Sequence, residues 1–408
     1  MPARLRSLIS LSVIAAAAAM TATTVGAQKK YDPGASDTEI KIGNIMPYSG
    51  PASSYGVIGK TEAAYFNKIN AEGGINGRKI TFISYDDAYS PPKAIEQARK
   101  LVEGDEVLLI FQSLGTPSNA AIQKYMNAKK VPQLFVASGA TKWGDPRNFP
   151  WTMGWQPNYQ SEGRIYAKYI LDHYPNGKIA VFWQNDDAGK DQVKGLRDGL
   201  GEKASMIIAD RSYEVSDPTV DSQIVALRDS GADIFFSLAA PKGSAQAIRK
   251  VGELGWKPKF FLVNTATSVA AVLKPAGLHY AKDIISTVYL KDPTDPAWKD
   301  DPGVKTWQAF MDRYYPDGDK SNANNVYGYV LAQNMVQVLK QCGDNLTREN
   351  VMKQAANLRD FSTEMMLPGI KVNTSADDFF PIEQMQLMRF DGEGWRLFGD
   401  VITGEVGH

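Results

Sequence analysis

The stretch Val107-Leu108-Leu109-Ile110-Phe111-Gln112-Ser113 decides the fold of this chain. It opens with five consecutive apolar residues, which is typical of a strand buried on both faces of a parallel sheet. A helical pattern follows from Ser118, and a second apolar run begins at Val131. Strand, helix and strand in this order predict a parallel sheet with helices on both faces.

The same pattern recurs along the chain. Short β-branched and aromatic runs bounded by Gly, Pro, Asn or Asp predict eight strands, at 40–47, 80–88, 107–113, 131–138, 178–185, 206–213, 232–239 and 259–265. Most strands start about 24–28 residues after the previous one, but 47 residues separate the starts of the fourth and fifth. This longer gap divides the strands into two sets of four and predicts two similar α/β lobes.

The regular alternation of predicted strands and helices ends after residue 264, where further helices and then a tail of strands and turns follow. We expect the chain to cross between the lobes three times, near Gln156, Tyr289 and Lys371. Lobe I is then 38–156 with 290–370, and lobe II is 157–289 with 371–403. Three crossings form a hinge, with a cleft at the carboxyl ends of both sheets.

Composition excludes several classes of function. Of the 408 residues, 45 are Lys or Arg and 45 are Asp or Glu, and a chain without basic excess is a poor candidate for binding nucleic acid. A single cysteine, Cys342, excludes internal disulfides and Cys-rich metal sites. The three histidines are far apart in sequence, so we expect no metal site and no cofactor.

Residues 1–27 have the three parts of a secretory signal peptide. Arg4 and Arg6 precede an apolar run at 8–20, and Val25-Gly26-Ala27 supplies the small residues of a cleavage site. The apolar run is too short for a good membrane anchor, so we expect no direct membrane insertion. The sequence therefore predicts export to the periplasm.

Candidate binding residues follow the predicted strands of the first lobe. Hydroxyl groups and free N–H groups at neighbouring helix starts form an anion site suited to a small carboxylate. The alternative interpretation is that these Ser and Thr residues are only helix caps. The candidates are Phe111, Gln112, Ser113, Ala137, Ser138, Gly139 and Thr141, with Tyr55 in the loop after the first strand as a cover for the ligand.

Paired carboxylates follow a strand of the second lobe. Asn185-Asp186-Asp187 would line the cleft, where acid–base chemistry by Asp186 and Asp187 in an exported hydrolase is one interpretation. The other is that the pair caps the next helix. The motif alone does not decide between them, but the sequence contains no nucleophile–base constellation.

Three segments carry a resemblance to a known family. The chain resembles the branched-chain amino-acid-type (Leu/Ile/Val-binding) periplasmic binding proteins of ABC transporters in Ile42-Gly43-Asn44-Ile45-Met46-Pro47-Tyr48-Ser49-Gly50-Pro51, in Asn70-Ala71-Glu72-Gly73-Gly74-Ile75-Asn76-Gly77 and in Tyr85-Asp86-Asp87-Ala88. The resemblance implies the periplasmic binding protein type I fold, a small-molecule ligand and an inner-membrane permease as partner. It implies no enzymatic activity.

Matched position by position, the resemblance indicates which residues of the family's binding site this sequence keeps and which it replaces. Tyr55 matches the family's ligand-covering tyrosine and Ser113 its carboxylate-binding serine. The carboxylate segment matches Gly139 and Thr141, or 137–139 in a shifted register. Asn264 stands where amino-acid binders have the glutamate that receives the ligand ammonium. Two tyrosines of the second lobe are replaced by Ala188 and Ala240.

These replacements predict the chemistry of the ligand. A buried ammonium needs a charged acceptor, and an asparagine is a poor substitute. The two alanines widen the far wall, so a carboxylate with an aromatic or other apolar body is favoured. The segment 131–144 also resembles members of the family that bind aromatic acids. A branched-chain amino acid and an amide or urea-like ligand stay as alternatives, because Asn264 both donates and accepts hydrogen bonds.

Overall fold

A computed structural model describes residues 29–404, so the predicted signal peptide lies outside the described residues. The strands in chain order are β1 (Lys30–Tyr31), β2 (Glu39–Met46), β3 (Lys79–Asp86), β4 (Leu109–Phe111), β5 (Gln133–Val136), β6 (Thr152–Gly154), β7 (Ile179–Gln184), β8 (Ile207–Tyr213), β9 (Ile234–Leu238), β10 (Lys259–Leu262), β11 (Ile285–Val288), β12 (Asn345–Leu346), β13 (Gln384–Phe390) and β14 (Trp395–Thr403). The helices are α1 (Val57–Ala71), α2 (Pro91–Arg99), α3 (Thr116–Lys129), α4 (Tyr159–His173), α5 (Asp187–Leu200), α6 (Asp221–Asp229), α7 (Pro241–Glu253), α8 (Lys274–Ala276), α9 (Leu278–Ala281), α10 (Pro302–Tyr314), α11 (Ala323–Cys342) and α12 (Arg348–Ala355).

Two sheets organise the chain. The first has the order β3-β2-β4-β5-β6 and is parallel throughout. The second has the order β14-β13-β11-β10-β9-β7-β8, in which β13 and β14 extend a parallel sheet as an antiparallel hairpin. We call each sheet with the helices packed on it the first and the second lobe. The predicted α/β fold with two lobes of helix-covered parallel sheet is confirmed.

The core of the first lobe explains why the deciding stretch is a strand. Ile110 packs in one apolar cluster with Ile122 and Met126 of α3. Phe111 points to the opposite face and meets Phe66 of α1 with ring centroids 5.9 Å apart. Because both faces of β4 are covered, every residue in it is apolar and none alternates with a polar one.

The chain passes between the lobes three times. It leaves the first sheet after β6 and enters the second, leaves that sheet after β11 for α10 and α11, which pack on α1, and returns as β13 and β14. The prediction of four strands in the first set missed β6. This strand has only three residues and lacks a β-branched run, and its pairing with β5 is what makes it a strand.

Candidate ligand-binding cleft

A cleft lies where strands of both sheets end. Leu114 follows β4, Ala137 follows β5, Ala239 follows β9 and Val263 follows β10, and all four line it. Its empty volume, including solvent at the mouth, is about 1060 Å³. Ligands of open α/β sheets bind at this end of the strands.

Aromatic and small apolar side chains make up much of the wall. Three of the five lining tyrosines are buried, and burial raises the pKa of Tyr159 to about 12, so its hydroxyl is neutral at physiological pH. The tyrosines are Tyr55, Tyr89, Tyr159, Tyr289 and Tyr327, and the lining alanines are Ala137, Ala188, Ala239, Ala240 and Ala323. These walls suit a flat or branched apolar body.

The charged residues of the lining are Lys291 and Asp292. Lys291 Nζ donates to both carboxylate oxygens of Asp301 at 2.8 Å. Burial raises the pKa of Asp292 to about 6, and its carboxylate accepts from the backbone N–H of Thr294 at 2.8 Å. Neither charge is free of a protein partner. Among residues 29–404 no group of three or more His, Cys, Asp or Glu side chains is placed to hold a metal ion.

Hydrogen bonds join the two lobes across the cleft. The Tyr55 hydroxyl donates to the carbonyl oxygen of Thr265 at 3.1 Å. Gln184 Nε2 donates to the Tyr89 hydroxyl at 3.2 Å. Each bond joins a loop of the first lobe to a strand end of the second, so the structure is a closed conformation.

Removing the Tyr55 hydroxyl tests this closed state. We expect Tyr55→Phe to weaken ligand binding about 3- to 10-fold, because one neutral hydrogen bond between the two lobes is lost. Titration calorimetry with an aromatic acid measures the effect. Tyr48→Phe is the matched control, since the Tyr48 hydroxyl lies 2.6 Å from Ser84 Oγ within the first lobe. Equal losses in both variants would contradict the closing role of Tyr55.

Five of the predicted site residues line the cleft, and they come from both lobes. Tyr55 and Ala137 belong to the first lobe, and Ala188, Ala240 and Asn264 to the second. The structure therefore brings together the predicted cover, the start of the 137–141 segment and the widened far wall.

Ser113 differs from its expected role. Its hydroxyl is buried and donates to Asn119 Oδ1 within α3, while Asn119 Nδ2 returns a bond to the carbonyl oxygen of Ser113 at 2.8 Å. Ser113 is not a cleft residue, because this exchange turns its hydroxyl toward the body of α3. Thr116, at the start of the same helix, lines the cleft instead.

Phe111 and Gln112, which precede Ser113, also do not line the cleft. Phe111 packs in the core of the first lobe. Gln112 is buried and does not line the cleft, but its Nε2 donates to the Tyr327 hydroxyl at 3.0 Å. Since Tyr327 lines the cleft, Gln112 positions a wall residue and does not itself face the ligand.

The remainder of the 137–141 segment also differs from expectation. Ser138 and Gly139 line a separate small depression, whose empty volume including open solvent is about 190 Å³, and Ser138 Oγ accepts from Trp143 Nε1 at 2.9 Å. A Cβ at Gly139 would lie 2.5 Å from the Pro157 carbonyl oxygen, which explains the glycine.

Thr141 binds a carboxylate that belongs to the protein. Its N–H and its hydroxyl donate to Asp191 Oδ2 of α5 at 2.7 and 2.8 Å. The adjacent Lys142 pairs with Asp187 of the same helix at 2.7 Å. Thr141 therefore joins the lobes outside the lining of the cleft.

The paired carboxylates of the second lobe have two different structural roles. Asp186 accepts from the backbone N–H groups of Ala188 and Gly189 at the start of α5, and burial raises its pKa. The hydrogen bond from Lys142 lowers the pKa of Asp187. Asn185 is exposed and donates to Glu214 at 2.6 Å. None of these three residues lines the cleft; the capping interpretation accounts for Asp186, whereas Asp187 pairs with Lys142 of the first lobe.

Several lining residues were not among the predicted ones. Tyr89 follows β3 closely, and its positive φ of 60° turns it toward the second lobe. Gln156 and Tyr289 were predicted only as crossing points, and both line the cleft. Tyr159 and Tyr327 lie on helices whose sequence patterns resemble those of ordinary core helices.

A buried carboxylate lies directly behind Asn264. Glu162 Oε2 accepts from Asn264 Nδ2 at 2.7 Å, and Oε1 accepts from the Asn264 backbone N–H at 2.8 Å. Thr287 Oγ1 and the Tyr166 hydroxyl donate to the same Oε1 at 3.0 and 2.9 Å. Glu162 is 2% exposed and is not part of the lining.

Burial raises the pKa of Glu162 from the usual 4.5 to about 7. The native state therefore binds a proton that the unfolded state releases between these values. The contribution of Glu162 to stability is largest below pH 4.5 and falls as pH rises to 7, by about 3 kcal/mol.

We expect Glu162→Gln to remove this dependence. Urea unfolding at pH 5 and pH 8 measures it, and the wild type should lose about 2–3 kcal/mol relative to the variant between the two values. The other buried acids are the same in both proteins, so their contributions to the pH dependence cancel when the wild type and the variant are compared. A difference that is equal at both pH values would show that Glu162 does not titrate in this range.

A two-lobed fold with a closed, ligand-sized cleft between the sheets defines a solute-receptor architecture. Residues 39–394 match the periplasmic binding protein family, and the chain belongs to that family. The predicted family resemblance and the periplasmic binding protein type I fold are confirmed. No helix in residues 29–404 is long and apolar enough to span a bilayer.

Individual relatives are distant. A Leu/Ile/Val-binding protein homolog 1 from Brucella abortus is 24% identical over 325 residues, 78% of this chain and 82% of the relative. A branched-chain amino acid ABC transporter structure from Thermus thermophilus with bound valine has a TM-score of 0.81 at 15% identity, covering 90% of this chain and 97% of the other. A fatty acid ABC transporter substrate-binding protein from Thermomonospora curvata has a TM-score of 0.78 at 19% identity, covering 92% and 95%.

Proposed function

We propose that this protein is the substrate-binding component of an ABC importer and that it captures a small carboxylate with an aromatic or other hydrophobic body. The observation that carries the proposal is the cleft of about 1060 Å³ walled by tyrosines and alanines from both lobes. Ligand capture selects the closed form, and that form is presented to an inner-membrane permease. The protein needs no cofactor for this and catalyses no reaction.

The ligand carboxylate is assigned to the start of α3. Thr116 lines the cleft at the first residue of this helix, where backbone N–H groups lack partners within the helix. The helix dipole adds positive potential at the same place. An acid oriented this way places its apolar body between Tyr55 and the alanines of the second lobe.

The proposal includes the division and the location of the chain. Residues 1–27 are a signal peptide, and the mature protein acts in the periplasm. Lobe I comprises 38–156 and 290–370, and lobe II comprises 157–289 and 371–403. The membership of the strands in the two sheets supports this division.

The relatives support the transport role, and their names indicate two chemical classes of ligand. Those from Brucella abortus and Thermus thermophilus have branched-chain amino acids in their names, and the one from Thermomonospora curvata has a fatty acid. A fatty acid is a carboxylate with an apolar body, as proposed here. A branched-chain amino acid or an amide is the second candidate, favoured by the polar Asn264 in the wall.

A thermal-shift panel tests the proposal. Aromatic acids, fatty acids, leucine and amides are compared at equal concentration. A ligand present at 100 times its Kd stabilises the native state by about 2.7 kcal/mol, which raises the melting temperature by several degrees. We expect the acids to produce this shift and leucine not to. A shift with leucine and none with any acid would replace the proposed ligand by an amino acid.

A further inference from the structure

The hydrogen bonds of Asn264 determine which of its polar atoms is available to a ligand. A side-chain amide offers two donors on its nitrogen and an acceptor on its oxygen, and either end can face a ligand. Here one end is engaged. Asn264 Nδ2 donates to Glu162 Oε2 at 2.7 Å, and the backbone N–H of the same residue donates to Oε1 at 2.8 Å.

The buried carboxylate decides which end of the amide faces the cleft. An ionised carboxylate only accepts hydrogen bonds, so it pairs with the amide nitrogen and not with the amide oxygen. Asn264 Oδ1 is thereby left toward the cleft. Among residues 29–404 no group donates to this oxygen, whereas the backbone N–H and one of the two Nδ2 hydrogens of Asn264 are donated to Glu162.

Thr287 holds the same carboxylate in place. Its hydroxyl donates to Glu162 Oε1 at 3.0 Å and lies 3.2 Å from the Tyr166 hydroxyl. Thr287 is fully buried, so this hydroxyl supports Glu162 and is not offered to a ligand. Asn264 Oδ1 is therefore the acceptor on this wall, and Glu162 takes one of the two hydrogens of Asn264 Nδ2.

We propose that Glu162 is a positioning residue that fixes Asn264 Oδ1 as an acceptor toward the cleft, so that the ligand carries an O–H or N–H donor on the end that faces the second lobe. This inference rests on the proposed function, and it narrows the ligand to a hydrophobic acid with a hydroxyl, amide or amine group remote from its carboxylate. A ligand with only an ether at that end leaves the Asn264 Oδ1 acceptor unpaired, which is costly in a closed cleft.

Calorimetry with matched probes tests the inference on the wild-type protein. The probes are the unsubstituted, 4-hydroxy and 4-methoxy forms of benzoate, phenylacetate and 3-phenylpropanoate, at pH 8 where Glu162 is ionised. In the chain length that fits, we expect the 4-hydroxy acid to bind about 5- to 10-fold more tightly than the unsubstituted acid, the effect of one hydrogen bond. The 4-methoxy acid gains nothing.

Glu162→Gln separates positioning from a purely structural role. The introduced amide can donate to Asn264 Oδ1, which frees the Asn264 amide to turn over. We expect the ratio of 4-hydroxy to 4-methoxy affinity to fall to about 2 or less. Glu62→Gln is the matched control, because Glu62 is equally buried but lies on α1 outside the lining, and it should keep the wild-type ratio.

The outcomes of the two proposals are distinct. If unsubstituted acids bind and the 4-hydroxy and 4-methoxy forms bind equally to the wild type, the inference is wrong and the proposed function stands. If no acid binds at all, the proposed function fails and the inference fails with it. An unchanged ratio in a folded Glu162→Gln variant would show that Glu162 does not position Asn264. Should that variant not fold, the wild-type ratios alone decide.

Discussion

Replacing Ala188 and Ala240 together by tyrosine is expected to lower the affinity for an aromatic acid at least about 100-fold. Both alanines line the far wall of the cleft, and their small side chains leave room for the ligand body. Two added phenol rings fill that room, and overpacking costs about 1–3 kcal/mol at each site. Near the middle of this range the two sites together cost about 4 kcal/mol, which corresponds to several hundred-fold in the dissociation constant.

Titration calorimetry with the acid that gives the largest thermal shift measures this loss. Ala376→Tyr is the control, since Ala376 is exposed in a turn and does not line the cleft. The unliganded melting temperature of the double variant should stay close to that of the wild type, because the new rings project into solvent-filled space. Undiminished acid binding by a folded double variant would mean that the ligand does not reach the second lobe.

Asn264→Glu is expected to have the second-largest effect. The substitution places a carboxylate against Glu162, which now accepts two hydrogen bonds from Asn264. Two carboxylates in one buried site repel, and an acid that carries no amine meets additional negative charge in the cleft. We expect the affinity for such an acid to fall about 100-fold, while an amino acid gains affinity from the new partner for its ammonium.

Asn264→Gln is the matched control for this substitution. It has the length of the glutamate without its charge, so it reports the cost of altered shape alone. Calorimetry on both variants with one aromatic acid and with leucine separates charge from shape. Equal affinities of the two variants for the acid would contradict an electrostatic role for this position.

The predictable part of the fold was the part set by local sequence. An uninterrupted apolar run such as that of β4, bounded by turn residues and followed by a helical pattern, is typical of a strand covered on both faces. The missed strand β6 has no such run, because its three residues become a strand through pairing with β5. Short edge strands of this kind depend on tertiary contacts that a single sequence does not display.

The site was predictable where a residue's position along a strand determines its surroundings. Ala240 and Asn264 follow β9 and β10 and reach the cleft for that reason. Ser113 also follows a strand, but its hydroxyl bonds to Asn119 one turn into the next helix, a choice of rotamer that spacing does not reveal. Glu162 and Asn264 are 102 residues apart, so only the folded chain shows their contact.

We propose that the cleft receives a hydrophobic carboxylate and not a branched-chain amino acid. The decisive experiment is titration calorimetry of the wild-type protein at pH 8 with 3-(4-hydroxyphenyl)propanoate and with leucine, after removal of any co-purified ligand. We expect saturable binding of the acid with one site per chain and at least about 100-fold weaker binding of leucine, a difference of roughly 2.7 kcal/mol. Tight binding of leucine with no heat from the acid would contradict it.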